Sequence, residues 1–187
     1  MTRPRVRRAR HTAAVGAALV TALTLVGCSA DLSATLDGQP IDTAAGEISD
    51  ELVGILGAVA AEFGEVDIDL IQLSTDHASL YYVDPSEPDT RQRTEFRDSI
   101  WSAPVGGRRP DTSASLPLGA VDPAGLRSAI EAAPGLLGID EARLSHVSIS
   151  PDESGRVEYL VALATGDSLG RVTFGPDGRE REVRAPR

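Results

Sequence analysis

The chain has 187 residues, with 18 basic and 28 acidic side chains and a formal charge of −10, enough for one domain or two small ones whose core folds without disulfides. Every basic side chain is arginine, and neither lysine nor asparagine occurs, as in the product of a very GC-rich coding sequence. The missing lysine excludes a P-loop, a Ser-x-x-Lys nucleophile, a Schiff base to pyridoxal phosphate and the kinase strand lysine.

The first 27 residues read as an export signal. Arg3, Arg5, Arg7, Arg8 and Arg10 form a positive opening, and Thr12 to Gly27 carries no charge, a run short of the ~20 apolar residues of a spanning helix. Leu25, Val26, Gly27 and Cys28 then resemble the lipobox of bacterial lipoproteins. The resemblance implies cleavage before Cys28 and a diacylglycerol, with acyl chains such as palmitate, on its thiol. It further implies a protein of the cell membrane, held by lipid on the extracytoplasmic face. Without the lipobox, the same stretch reads as an ordinary signal peptide or an uncleaved anchor.

Cleavage there removes five arginines and no acid, leaving 13 arginines against 28 acids, a charge of −15. Such a body is repelled by anionic lipid and by nucleic acid, so no nucleic-acid partner is expected. Residues 28–43, small, polar and punctuated by Gly38 and Pro40, read as a lipidated flexible tether with a reach of about 20 Å.

The first helix follows. Ile48, Leu52, Ile55, Leu56, Val59 and Phe63 form an apolar stripe that ends at Gly64. Strand-like runs come next at Val66, at Ala78 ("ASLYYVD") and at Thr94 ("TEFRDSIWS"). Ala103 to Pro117, rich in Gly, Pro and Ser, reads as a linker without regular structure through most of its length. Asp122 then caps a second helix with Pro123 in its first turn; Leu126, Ile130 and Ala133 share a face, Pro134 and Gly135 interrupt it, and Gly138 ends it. Further strands are expected at Ala142, Arg156 and Leu169, and Pro176, Asp177 and Gly178 fold the last one back as a hairpin.

The order repeats. Adding 74 carries Leu52 onto Leu126, Leu56 onto Ile130 and Gly64 onto Gly138; adding 76 carries Ile68 onto Leu144, Ile71 onto Val147 and Leu73 onto Ile149. The expected organisation is a signal peptide at 1–27, the tether at 28–43, a first αβββ unit at 44–103, a linker at 104–118 and a second αβββ unit at 119–185. A lone unit of this size buries little surface. The expected fold class is therefore α+β: two tandem α-β-β-β units whose two helices pack on one largely antiparallel sheet of six or seven strands.

The helix "PAGLRSAIEAAPGLLG", the strand "RVEYLVALA" and the ending "GRVTFGPDGRERE" resemble the PepSY-like and beta-lactamase-inhibitor-like proteins of bacterial envelopes. The resemblance implies a non-catalytic domain that binds or modulates other envelope proteins, or a regulator or inhibitor of an exported enzyme such as a protease. It carries over no functional residue.

With the one cysteine given to lipid, thiol catalysis, disulfides and thiolate metal sites drop out. His77 and His146 stand in no His-Glu-x-x-His spacing, so no enzyme, cofactor or metal is expected. His146 reads as a strand histidine and His77 as a turn residue. Glu65, Asp67 and Asp69 fall two apart and suit weak calcium binding, but they lack the glycine and distal glutamate of an EF-hand loop; a solvated acidic face accounts for them. Among Tyr81, Tyr82, Phe96 and Trp101, Phe96 and one tyrosine are expected in the core. Arg97 and Trp101, placed on one strand face by period two, form the candidate partner surface if exposed, since such residues concentrate binding energy; if buried, Trp101 belongs to the core. The expected partners are the membrane, through Cys28, and an envelope protein.

Overall fold

The computed structural model describes residues 41–110, 114–139 and 142–186; the leader, Cys28 and the tether up to residue 40 lie outside them. The first helix, α1, spans Ile41–Phe63. It opens seven residues ahead of Ile48, inside the expected tether, because Ile41 and Ala44 extend the same buried stripe. The Ile41 amide also donates to the Ala142 carbonyl at 2.6 Å. Gly64, at φ 60°, closes the helix as expected.

The chain continues as β1 (Asp67–Leu73), β2 (His77–Asp84), β3 (Glu87–Arg97), β4 (Ile100–Trp101), β5 (Val105–Arg108), β6 (Leu116–Pro117) and a 3-10 turn (Leu118–Ala120). Helix α2 (Pro123–Leu137) follows, then β7 (Arg143–Pro151), β8 (Val157–Thr165), β9 (Ser168–Phe174) and β10 (Glu180–Arg184). Asp122 caps α2, accepting from the Ala124 amide at 3.0 Å, and Gly138 ends it at φ 60°. Pro134 does not interrupt α2, contrary to expectation. Ring and missing amide cost one bond to Ile130, but Pro134 is buried and its carbonyl accepts from Gly138 at 3.0 Å, so the last turn survives.

The protein is α+β, with both helices packed on one large antiparallel sheet. Among the described residues the sheet has ten strands, in the order β10-β9-β8-β7-β1-β2-β3-β4, with β5 on β3 and β6 on β1. The excess over six or seven comes largely from the expected linker. Val105–Arg108 pairs antiparallel with Thr90–Arg93, and Leu116–Pro117 pairs with Asp67–Ile68. Leu116 and Leu118 are buried, so this segment is fastened to the body at both ends.

Pairing of β1 with β7 makes the sheet continuous: Ile71 faces Ile149, Gln72 faces Ser148 and Leu73 faces Val147. Buried rows therefore run unbroken from β2 to β9. One is Leu80, Ile71, Ile149, Tyr159, Phe174; the next is Ala78, Leu73, Val147, Val161, Val172. Against them lie Leu52, Leu56 and Val59 of α1 and Leu126, Ile130 and Ala133 of α2, all in one core, each large side chain contributing about 1.5–3 kcal/mol. Tyr159 is anchored through its hydroxyl, which donates to the Asp122 carbonyl at 2.9 Å; burial pushes its pKa up to about 12. The β9–β10 hairpin turns at Pro176–Gly178 as expected and presses on α2, where a Cβ on Gly125 would lie 2.3 Å from the Pro176 carbonyl oxygen.

Candidate functional site

Because both helices lie on one side, no described helix covers the other face of the sheet, and alternation decides what it shows. Its central row is Glu95, Ser79, Gln72, Ser148, Leu160 and Thr173. Beside it stand Tyr81 opposite Arg93 and Val83 opposite Arg91. Both guanidiniums lie over the Tyr81 ring, Arg91 at 5.1 Å and Arg93 at 5.6 Å from its centroid, contacts worth about 0.5–1 kcal/mol each where exposed. Arg93 also pairs with Glu95. The ring thus holds two arginines together that would otherwise repel.

The expected pair Arg97 and Trp101 is separated. The chain turns at Asp98 and Ser99, with φ 52° and 62°, in a two-residue hairpin instead of running on as one strand. Arg97 consequently pairs with Ile100, and Trp101 with Phe96. Partners across an antiparallel pair share a face. Arg97 therefore belongs to the uncovered face, while Trp101 lies on the helix side, half-buried, its ring 4.7 Å from Phe63 and 5.0 Å from Phe96. Phe63 also meets Tyr82 at 5.3 Å. Tyr82 and Phe96 join the core, as expected of Phe96 and one tyrosine.

The sequence reading counts Tyr81 among the aromatic residues without giving it a partner, and it starts the third strand at Thr94, so Arg91 and Arg93 are absent from it. The signal was present: adjacent tyrosines in a strand must point to opposite faces, and "RQR" places its arginines two apart on one face.

The acidic run is not a solvated face throughout. Asp69 is the extra residue of a β-bulge between Ile68 and Leu70, is 8% exposed, and accepts from Arg109 Nη2 at 2.9 Å and Nε at 3.2 Å. The bidentate pair binds the β5–β6 segment to β1. Glu65 and Asp67 are exposed.

His146 is half-buried on the uncovered face of β7, its Nδ1 3.1 Å from Ser145 Oγ. Burial, then Arg171, lowers its pKa. His77 opens β2 and bonds Asp76 Oδ1 at 2.6 Å; that bond holds the Asp76 carboxyl below its usual range. Glu51 of α1 has its pKa raised by burial and by Asp76. At the β7–β8 turn, Asp152 accepts from Ser154, Arg156 and Arg181, and these bonds, Ser154 first, hold it far below the carboxylate range. Among the described residues no three His, Cys, Asp or Glu side chains group to hold a metal ion, and no helix is long and apolar enough to cross a membrane.

No family model matches the chain, and no curated protein matches its sequence. Among solved structures it is similar to a candidate lipoprotein of Clostridium difficile 630, with a TM-score of 0.52 and 10% identity, over 70% of this chain and 89% of that one. At that identity the likeness is one of fold.

Proposed function

We propose that this protein is an exported, membrane-anchored lipoprotein that acts as a non-catalytic binding module of the cell envelope through its uncovered sheet face. One observation carries the binding reading. Among the described residues the sheet buries one side under two helices and has no helix over the other, where Arg91 and Arg93 are gathered on Tyr81. The lipobox-like Leu25 to Cys28 and the fold shared with a candidate lipoprotein support the anchor.

We also infer that the body is a duplicated αβββ unit, resembling PepSY-like proteins. The β1–β7 register supports this. Under the shift of 76, Gln72 pairs with its own counterpart Ser148, while Ile71 and Leu73 pair crosswise with the counterparts of each other. An approximate twofold axis through the Gln72–Ser148 pair has that property. The bulges at Asp69 and Ser145 are also 76 apart.

Two results test the proposal. Intact mass of membrane-extracted chain is expected to begin at Cys28 with an added diacylglycerol, and Cys28→Ser is expected to move the chain out of the membrane fraction; an unmodified or equally sedimenting variant refutes the anchor. Isolation of the acylated chain with its partner then separates two roles. A partner enzyme whose activity changes on binding makes the module a regulator of an exported enzyme, such as a protease.

A further inference from the structure

The uncovered face does not share the charge of the molecule. The mature chain carries −15 by formal count, yet from Arg91 to Arg97 β3 presents Arg91, Arg93 and Arg97 on this face against one carboxylate, Glu95, which pairs with Arg93; Glu87 and Asp89 stand at the far end of the strand, before Arg91. The two large hydrophobic side chains with the greatest exposure among the described residues, Ile100 and Val105, each 69% exposed, stand on the same face, opposite Arg97 and Arg93. Cationic and apolar groups therefore alternate along one sheet margin.

We propose that this margin docks an acidic protein segment whose carboxylates meet the Arg91–Tyr81–Arg93 cluster and whose apolar side chains cover Ile100 and Val105. The proposal rests on the binding role inferred above and names the chemistry of the partner. Charge complementarity selects it: an acidic partner is repelled by the remainder of this acidic body and attracted here, which fixes where it lands and speeds encounter. A polyphosphate or an anionic lipid head would satisfy the arginines but leave Ile100 and Val105 in water. A segment carrying both acids and apolar groups satisfies the whole patch. The tyrosine ring holds both guanidiniums in place, so less side-chain freedom is lost on binding.

The test uses the full chain in detergent and a labelled short peptide in which glutamate and valine alternate, with its lysine–valine twin as control. Binding is read by anisotropy of the label and by the fluorescence of Trp101, the one tryptophan, on the strand beside Arg97. The glutamate peptide is expected to bind, more weakly as salt rises, and Arg91→Glu with Arg93→Glu to weaken it by about tenfold or more. Arg91→Lys with Arg93→Lys is expected to recover part of that loss, and Ile100→Ser with Val105→Ser to weaken binding with the arginines intact. All four sites are on the surface margin, and unchanged circular dichroism checks the fold. Equal binding of the lysine twin, or indifference to the glutamate substitutions, overturns the proposal. So does polyphosphate or phosphatidylglycerol vesicles binding with dependence on the arginines but none on Ile100 and Val105. A photocrosslinker at Val105 that traps the same cellular partner in the charge-reversed chain leaves the binding face standing and removes the acidic chemistry; no adduct from any exposed position on the face removes the binding role itself.

Discussion

Gly125 shows how little tolerance the helix–hairpin contact has. Any Cβ there meets the Pro176 carbonyl oxygen at 2.3 Å, a backbone atom with nowhere to retreat, so Gly125→Ala is expected to cost about 1–3 kcal/mol, read as a lower urea midpoint. The Asp69–Arg109 pair gives a second residue-scale outcome. Asp69→Ala removes the bidentate carboxylate from a largely buried guanidinium and loosens the stretch between β5 and β6, which β6 still ties to β1, for a loss of about 1–3 kcal/mol together with faster proteolysis between Arg108 and Leu116. His146 has a pKa lowered by burial and Arg171. The unfolded chain takes up that proton more readily, so the stability tied to neutral His146 is complete above about pH 6.5 and is lost as pH falls through that value towards the lower folded one. His146→Gln is expected to flatten this acid limb in thermal melts. At this scale the sequence was half legible. Alternation places Tyr82 inward and Tyr81 outward once the strand is known, but nothing in "EVDID" marks Asp69 as a bulge, because its partner Arg109 lies 40 residues away.

Elements were legible where local chemistry dictates them. The apolar stripes, the Asp122 cap and the glycines at Gly64 and Gly138 define both helices from neighbouring residues alone. The hairpin at Asp98–Ser99 was not legible, since neither residue announces a positive φ; the turn is held by pairing of Arg97 with Ile100 and Phe96 with Trp101. Replacing Asp98 and Ser99 by Asn and Gly relieves that strain and is expected to raise stability by about 0.5–1 kcal/mol, seen as a higher melting temperature. β5 was hidden likewise, as two glycines read as linker until β3 supplies the ladder. The sheet's two margins also differ. β10 carries Glu180, Arg181, Glu182 and Arg184, all exposed, charges that discourage edge pairing, whereas β4 and β5 offer Ile100, Val105 and two glycines.

For the molecule as a whole, the β1–β7 ladder merges what the sequence allows to be two domains. Rows of buried side chains cross the junction without a break, so unfolding of the described body is expected as one transition, with calorimetric and van't Hoff enthalpies equal; two resolved transitions would mean that the halves fold independently. The same construction sends both helices to one side and, among the described residues, sets no helix on the other face. Photocrosslinking in living cells tests the proposed binding role of that face most directly, with a photoreactive residue placed in turn at Val105, 69% exposed and opposite Arg93, and at Gly54 on the exposed side of α1. A discrete protein adduct is expected from Val105 and none from Gly54. An adduct confined to Gly54 would contradict that role.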